Sequence, residues 1–239
     1  MLRAQGVALS KRVCDVSCNF APGTITAICG PNGAGKSSLL ELLAGLASPD
    51  AGEILLGDRP LASRSDRHKR LGYLPQTVVI AWDVTVRALV ELGRIPHRDT
   101  ADAPVDAALE ALDLGQLAHR RAQTLSGGEA ARVMLARVLA GEPDWIVADE
   151  PLSALDLSHQ IALMRHLRRF ADRGGGVVVV LHDLAMAMNW ADRVLVLQEG
   201  ALVADGPPTR ALDTQQIERV WGVRAQWLGE EGARALVAV

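Results

Sequence analysis

The stretch "GPNGAGKSS", Gly30 to Ser38, fits the pattern G-x-x-x-x-G-K-[ST]. That spacing suits a polyphosphate. Glycines let backbone amides wrap the anion, a helix N-terminus adds roughly half a positive charge, and a lysine reaches the outer phosphates. On this mechanism Gly30, Pro31, Asn32, Gly33, Ala34, Gly35, Lys36, Ser37 and Ser38 hold a nucleotide, with Lys36 on its β and γ phosphates and Ser37 on Mg2+. A second site candidate is "WIVADE", a hydrophobic strand that ends in two carboxylates. Asp149 is placed to face the metal, and Glu150, one residue further, to orient or deprotonate water. "VVVVLHD" leaves His182 at a strand end where a donor to a γ-phosphate would sit, although a lone histidine there can also be structural.

A third feature is "QTLSGGEAARVMLARVLA", Gln123 to Ala140, a helical pattern whose first turn holds Gly127 and Gly128. Each glycine costs about 1 kcal/mol relative to alanine inside a helix. Behind Ser126 and before Glu129, they read as a helix start left bare so that a ligand can approach its free amides. The chain therefore has two phosphate-gripping helix starts, at Lys36 and at Ser126, which one nucleotide cannot easily use from the same face. A head-to-tail dimer resolves this, with Ser126, Gly127 and Gly128 of one chain covering the γ-phosphate held by Lys36 of the other. The alternative is a serine cap with flexible glycines.

Positioning these residues calls for an α/β fold. Alternating segments at Leu2 to Leu9 and Val13 to Phe20 precede "TITAICG", a buried-strand pattern that stops at the glycine-rich loop. "KSSLLELLAGL" then places Leu39, Leu40, Leu43 and Leu46 on one helix face and stops near Gly45 and Pro49. "DWIVADE" and "GVVVVLHD" are short apolar runs, each followed by a helical pattern, as in buried parallel strands. From 84 to 139 the pattern is helical, with Val86, Leu89, Val90, Val105, Leu109 and Leu112 at helical spacing. The expected organisation is one nucleotide-binding domain over 1–239: an ATPase core from 1–83 and 140–239, and a helical subdomain inserted at 84–139. Beyond Asp205, short helix and weak strand are expected.

Composition narrows the function classes. With 49% apolar and 22% charged residues the chain is globular, and its net charge of -3 gives no basic excess for DNA or RNA. No apolar run approaches the roughly 18 residues of a membrane span, and the N-terminus shows no secretory signal, so a cytoplasmic location is expected. Cys14, Cys18 and Cys29 have no ligand-pair spacing and read as buried reduced thiols.

In this order and at these separations, "GPNGAGKSS", "LGYLPQ", "LSGGE", "VADEP", "SALD" and "LHD" resemble the ATP-binding cassette ATPases over nearly the whole chain. The resemblance implies a phosphate-loop ATPase core with a mostly parallel sheet, an N-terminal antiparallel β part and an inserted helical subdomain, using ATP and Mg2+. It makes Gln76 the switch glutamine that touches Mg2+ or the attacking water and senses a membrane partner. Glu150 becomes the catalytic base, His182 the γ-phosphate contact and Asp156 a residue of the dimer seam, with Ser126, Gly127, Gly128 and Glu129 completing the nucleotide contacts. Ser37, Gln76 and Asp149 form the metal set. "VTVRALVELGRIPHR" and "VWGVRAQWL" are similar to the ATPase subunits of importers for iron-siderophore complexes, haem and cobalamin. That implies a homodimer docked on a transmembrane permease at the cytoplasmic face of the membrane. It also implies a periplasmic or extracellular substrate-binding protein reached only indirectly.

Two departures stand out. The family usually presents an aromatic before the second strand to stack on adenine, and "VALSKRV" has none. Stacking on a base contributes about 1–3 kcal/mol, so the expectation is ATP binding through triphosphate and metal with poor discrimination against GTP. Ala131 stands where a glutamine often follows the signature. A soluble cassette ATPase of cofactor assembly is the competing reading. A phosphate-loop kinase or GTPase has no use for "LSGGE", and an N-K-x-D guanine motif is absent.

Overall fold

The computed structural model describes residues 1–76, 80, 83–153 and 155–239. Ala154 of "SALD" lies outside the described residues. The chain runs β1 (Leu2–Leu9), β2 (Val13–Phe20), β3 (Ile25–Cys29), α1 (Lys36–Leu43), β4 (Ala51–Leu56), β5 (Arg59–Pro60), α2 (Arg67–Arg70) and β6 (Leu71–Leu74). It continues through α3 (Val86–Glu91), α4 (Asp102–Ala111) and α5 (Gly127–Ala140) to β7 (Trp145–Ala148), α6 (Leu157–Asp172), β8 (Gly176–Val180) and α7 (Leu184–Trp190). It closes with β9 (Arg193–Gln198), β10 (Ala201–Gly206), α8 (Pro208–Ala211), α9 (Thr214–Trp221), β11 (Ala225–Leu228) and β12 (Ala235–Ala238).

A six-stranded sheet in the order β10-β9-β3-β8-β7-β6 forms the centre. Its pairs are parallel except β9 with β10. The apolar runs of β3, β7 and β8 are buried along their whole length because helices cover both faces. Alternation divides the contacts: Val178 and Val180 of β8 cluster with Leu39, Leu40 and Leu43 of α1, while Val177 and Val179 cluster with Leu163 and Leu167 of α6. A second, antiparallel sheet, β2-β1-β4-β5, closes over the α1 side. Its strands β1 and β2 occupy the two alternating segments and turn Leu2, Val7, Val16 and Phe20 into that core. A hairpin of β11 and β12 ends the chain.

Between 84 and 139 the described residues hold helices and short 3-10 turns, joined by one isolated bridge from Thr85 to Arg121 and no strand. Val86, Leu89, Val90, Val105, Leu109 and Leu112 are all buried there. Arg94 ties this region to the end of α5: its buried guanidinium donates to Asp99, Glu142 and the Ala140 carbonyl.

Two sequence expectations are corrected. α1 ends at Leu43, Gly45 turns the chain at φ +70, and Leu46 is 61% exposed, so Leu46 lies off the buried face. Of the three cysteines, Cys18 and Cys29 are buried, but Cys14 is exposed. Burial pushes both of the former up to about 12.

Candidate nucleotide site

The chemistry collects at the carboxyl ends of four parallel strands, where open α/β sheets place ligands. The loop after β3 is the glycine-rich one, β6 leads to Gln76, β7 to Asp149 and Glu150, and β8 to His182. Two glycines make the first loop possible. Gly35 caps α1 at φ +94, and a Cβ on it would stand 2.0 Å from the Arg12 carbonyl oxygen. A Cβ on Gly30 would meet the Leu197 carbonyl oxygen at 2.2 Å. The loop is thus pressed between the β1–β2 turn and β9, and only a bare backbone fits. It lines an open cleft of about 430 Å3 together with Arg12, Lys36, Ser37, Ser38 and Glu150.

In and beside the cleft the polar groups sort into two clusters. Lys36 Nζ donates to the carbonyls of Gly30 and Pro31, each at 2.9 Å, and burial lowers its pKa. Ser37 Oγ donates to Asp149 Oδ1 at 3.1 Å. Asp149 is buried, and desolvation raises its pKa while the Ser37 hydrogen bond opposes the rise. The second cluster centres on Glu150. Gln76 Nε2 donates to its Oε2 at 2.5 Å, and the His182 imidazole bonds its Oε1. Residues 76, 150 and 182 therefore converge on one carboxylate, which the sequence separates by 74 and 32 positions. Glu150 also holds a backbone φ of +45, a left-handed conformation that costs a non-glycine residue about 1–3 kcal/mol. The loop behind it is braced by Ser153 N on the Glu150 carbonyl and by Gln160 Nε2 on the carbonyls of Leu152 and Leu155.

The residues of "LSGGE" and Asp156 are not among those lining the Lys36 cleft of the same chain. The start of α5 is less bare than its glycines suggest. Ser126 Oγ accepts from the Glu129 amide at 3.3 Å while Glu129 Oε2 accepts from the Ser126 amide at 2.8 Å, a reciprocal cap. Glu129 also pairs with Arg120, so its carboxylate is engaged within its own chain. Gly128 is buried, and a Cβ on it would lie 2.2 Å from His159 Cδ2. Close approach of an imidazole, and not of a ligand alone, requires that glycine. Asp156 caps α6 by accepting from His159 N.

Three residues escaped the sequence reading. Arg12 follows Ser10 and Lys11, both at positive φ, and lines the cleft; its exposed guanidinium makes no hydrogen bond or ion pair among the described residues. His159 and Gln160 sit three and four positions after Asp156; the only available signal was the cap spacing, which does not reveal what the side chains touch.

A family model for the ABC transporter matches residues 13–153. The chain belongs to this ABC transporter family. Hemin import ATP-binding protein HmuV of Rhizobium meliloti is 42% identical over 222 residues, covering 87% of this chain and 85% of that protein. The protein of the same name from Nocardia farcinica is 45% identical over 236 residues, with coverages of 92% and 82%. Among solved structures, an inward-facing metal-chelate type ABC transporter superposes with a TM-score of 0.86 at 25% identity, covering 100% of this chain and 96% of the other. A dimeric ATP-binding cassette bound to ADP and Pi has a TM-score of 0.76 at 25% identity, with coverages of 87% and 99%. As an ABC ATPase of an import system, the chain binds ATP and hydrolyses it. Among the described residues no helix is long and apolar enough to cross a membrane.

Proposed function

We propose that this ABC ATPase drives haem import, docking as a homodimer on a separate transmembrane permease at the cytoplasmic face of the membrane. A substrate-binding protein would act on the far side without touching it. The cargo follows the names of the hemin-import relatives; the broader resemblance to siderophore and cobalamin importers rests on the two stretches "VTVRALVELGRIPHR" and "VWGVRAQWL".

The observation that carries the mechanism is the grip of Gln76 and His182 on the two oxygens of Glu150, beside the Ser37–Asp149 pair. In this reading the amides from Gly30 to Ser38 and the Lys36 ammonium bind the triphosphate. Ser37 and Asp149 fit Mg2+: no cluster of three His, Cys, Asp or Glu exists among the described residues. One carboxylate with one hydroxyl is the partial set that Mg2+ accepts when phosphate and water complete its octahedron. When bound, Mg2+ neutralises charge on the phosphoryl oxygens. Glu150 keeps a second lone pair on each oxygen and takes the proton of the attacking water, while Gln76 and His182 fix its orientation and stand ready for water and γ-phosphate. Arg12 offers the base a guanidinium plane in place of the missing aromatic. Ser126, Gly127, Gly128, Glu129 and Asp156 complete the site from the second copy.

Replacing Glu150 with Gln should lower turnover by about 100-fold or more with ATP binding intact. With the permease present, light scattering should then show an ATP-dependent dimer. A variant that stays monomeric at saturating ATP overturns the two-copy mechanism. Haem-stimulated ATPase of the reconstituted complex tests the cargo; indifference to haem overturns it.

A further inference from the structure

The starts of α5 and α6 meet through one imidazole. His159 Nδ1 donates to Asp156 Oδ1 at 2.8 Å, and the same oxygen accepts from the His159 amide at 3.0 Å and from Ser158 Oγ at 2.8 Å. These donors hold the Asp156 carboxyl down at about 2, so it stays an anionic acceptor at any working pH. The far edge of the ring occupies the space that a Gly128 side chain would need: a Cβ there would stand 2.2 Å from Cδ2 and 2.5 Å from both Cγ and Nε2. Leu157, between Asp156 and this contact, is 68% exposed and takes no part in it. His159 is therefore a spacer with one side tied to Asp156 and the other seated on the first turn of α5.

We propose that His159 is a positioning residue that locks Asp156 and the Ser126–Glu129 turn into one rigid edge, the edge that a second copy of the chain receives over its nucleotide. The role rests on the two-copy reading above and adds to it. His159 touches no nucleotide; it fixes the separation of two segments that are 28 positions apart in sequence, Gly128 and Asp156. A merely structural ring would stabilise the fold and leave association unchanged. A positioning ring leaves the fold and the chain's own cleft intact and changes association, because a misplaced edge must be reordered each time two chains close.

The test uses the full-length chain in the Glu150→Gln background with permease and ATP, and compares His159→Ala, Gly128→Ala and the double variant. Urea midpoints report the fold, a fluorescent ATP analogue reports each chain's own cleft, and light scattering gives the dimer dissociation constant. His159→Ala should leave the first two unchanged and weaken dimerisation about tenfold. Gly128→Ala should weaken it too, by pushing against the ring. The double variant should lie nearer the parent than either single variant, since the added methyl fills the space the ring vacates. A parent that dimerises while His159→Ala dimerises equally well overturns the role alone. Strictly additive losses in the double variant, or a loss of dimerisation by His159→Ala matched by a fall in its own urea midpoint, overturn it as well. A parent that never dimerises removes the two-copy reading, and the role with it.

Discussion

Asp149 and Glu150 are neighbours in sequence and both are buried, yet the fold gives them different partners. Glu150 is held by two side-chain donors, whereas Asp149 has one hydroxyl against it. Burial raises the Asp149 pKa. For a carboxyl so raised, its contribution to stability is fully present below the unfolded value near 3.9 and is lost as pH rises through the folded value. Near neutral pH the ionised group is thus a strain on the fold. In EDTA at pH 7.5, Asp149→Asn should therefore raise Tm by a few degrees in calorimetry, a gain that shrinks toward pH 4, while ATPase activity is lost. An unchanged or lowered Tm counts against this account. At this scale the sequence was most informative, because the glycine loop and the two acids have residue types that the proposed phosphate and water chemistry explains together. What it could not disclose was packing between distant positions, such as the ring of His159 on Gly128 or the backbone of Arg12 on Gly35.

At the scale of elements, periodicity marked the buried strands and the amphipathic helices correctly where one pattern ran unbroken. It left β9 unread although its Val194–Leu197 run is buried, and it failed where a pattern was short or half exposed. β4 buries only Ile54, Leu55 and Leu56 out of six residues, so neither alternation nor an apolar run announces it. α1 stops before Leu46 because backbone geometry at Gly45, and not hydrophobic spacing, ends it. Close backbone contact is equally hidden. Gly93 abuts α5, where a Cβ would stand 2.0 Å from the Arg137 carbonyl oxygen. Gly93→Ala should cost about 2 kcal/mol by overpacking a backbone that cannot yield, read as a lower urea midpoint with an unchanged m-value. A midpoint within error of wild type would mean that the turn at 92–97 moves freely over α5.

For the whole molecule, the decisive arrangement is that the two helix starts rich in glycine do not share a cleft within one chain. The sequence pointed to this by offering a second candidate phosphate-binding helix start. Ser126→Arg should abolish ATP hydrolysis by the complex while nucleotide titration of the isolated subunit stays normal, the fold itself losing about 1 kcal/mol of capping. Equal loss of binding and hydrolysis would place Ser126 in its own chain's pocket. The distribution of thiols has a practical corollary. Cys18 and Cys29 are sealed in the interior, whereas Cys14 is accessible on β2, two residues beyond Arg12 and beside Gly200. A maleimide dye would then attach at a single point, two residues from the Arg12 that lines the nucleotide cleft, turning the wild-type chain into its own fluorescent reporter of nucleotide arrival without any engineered handle.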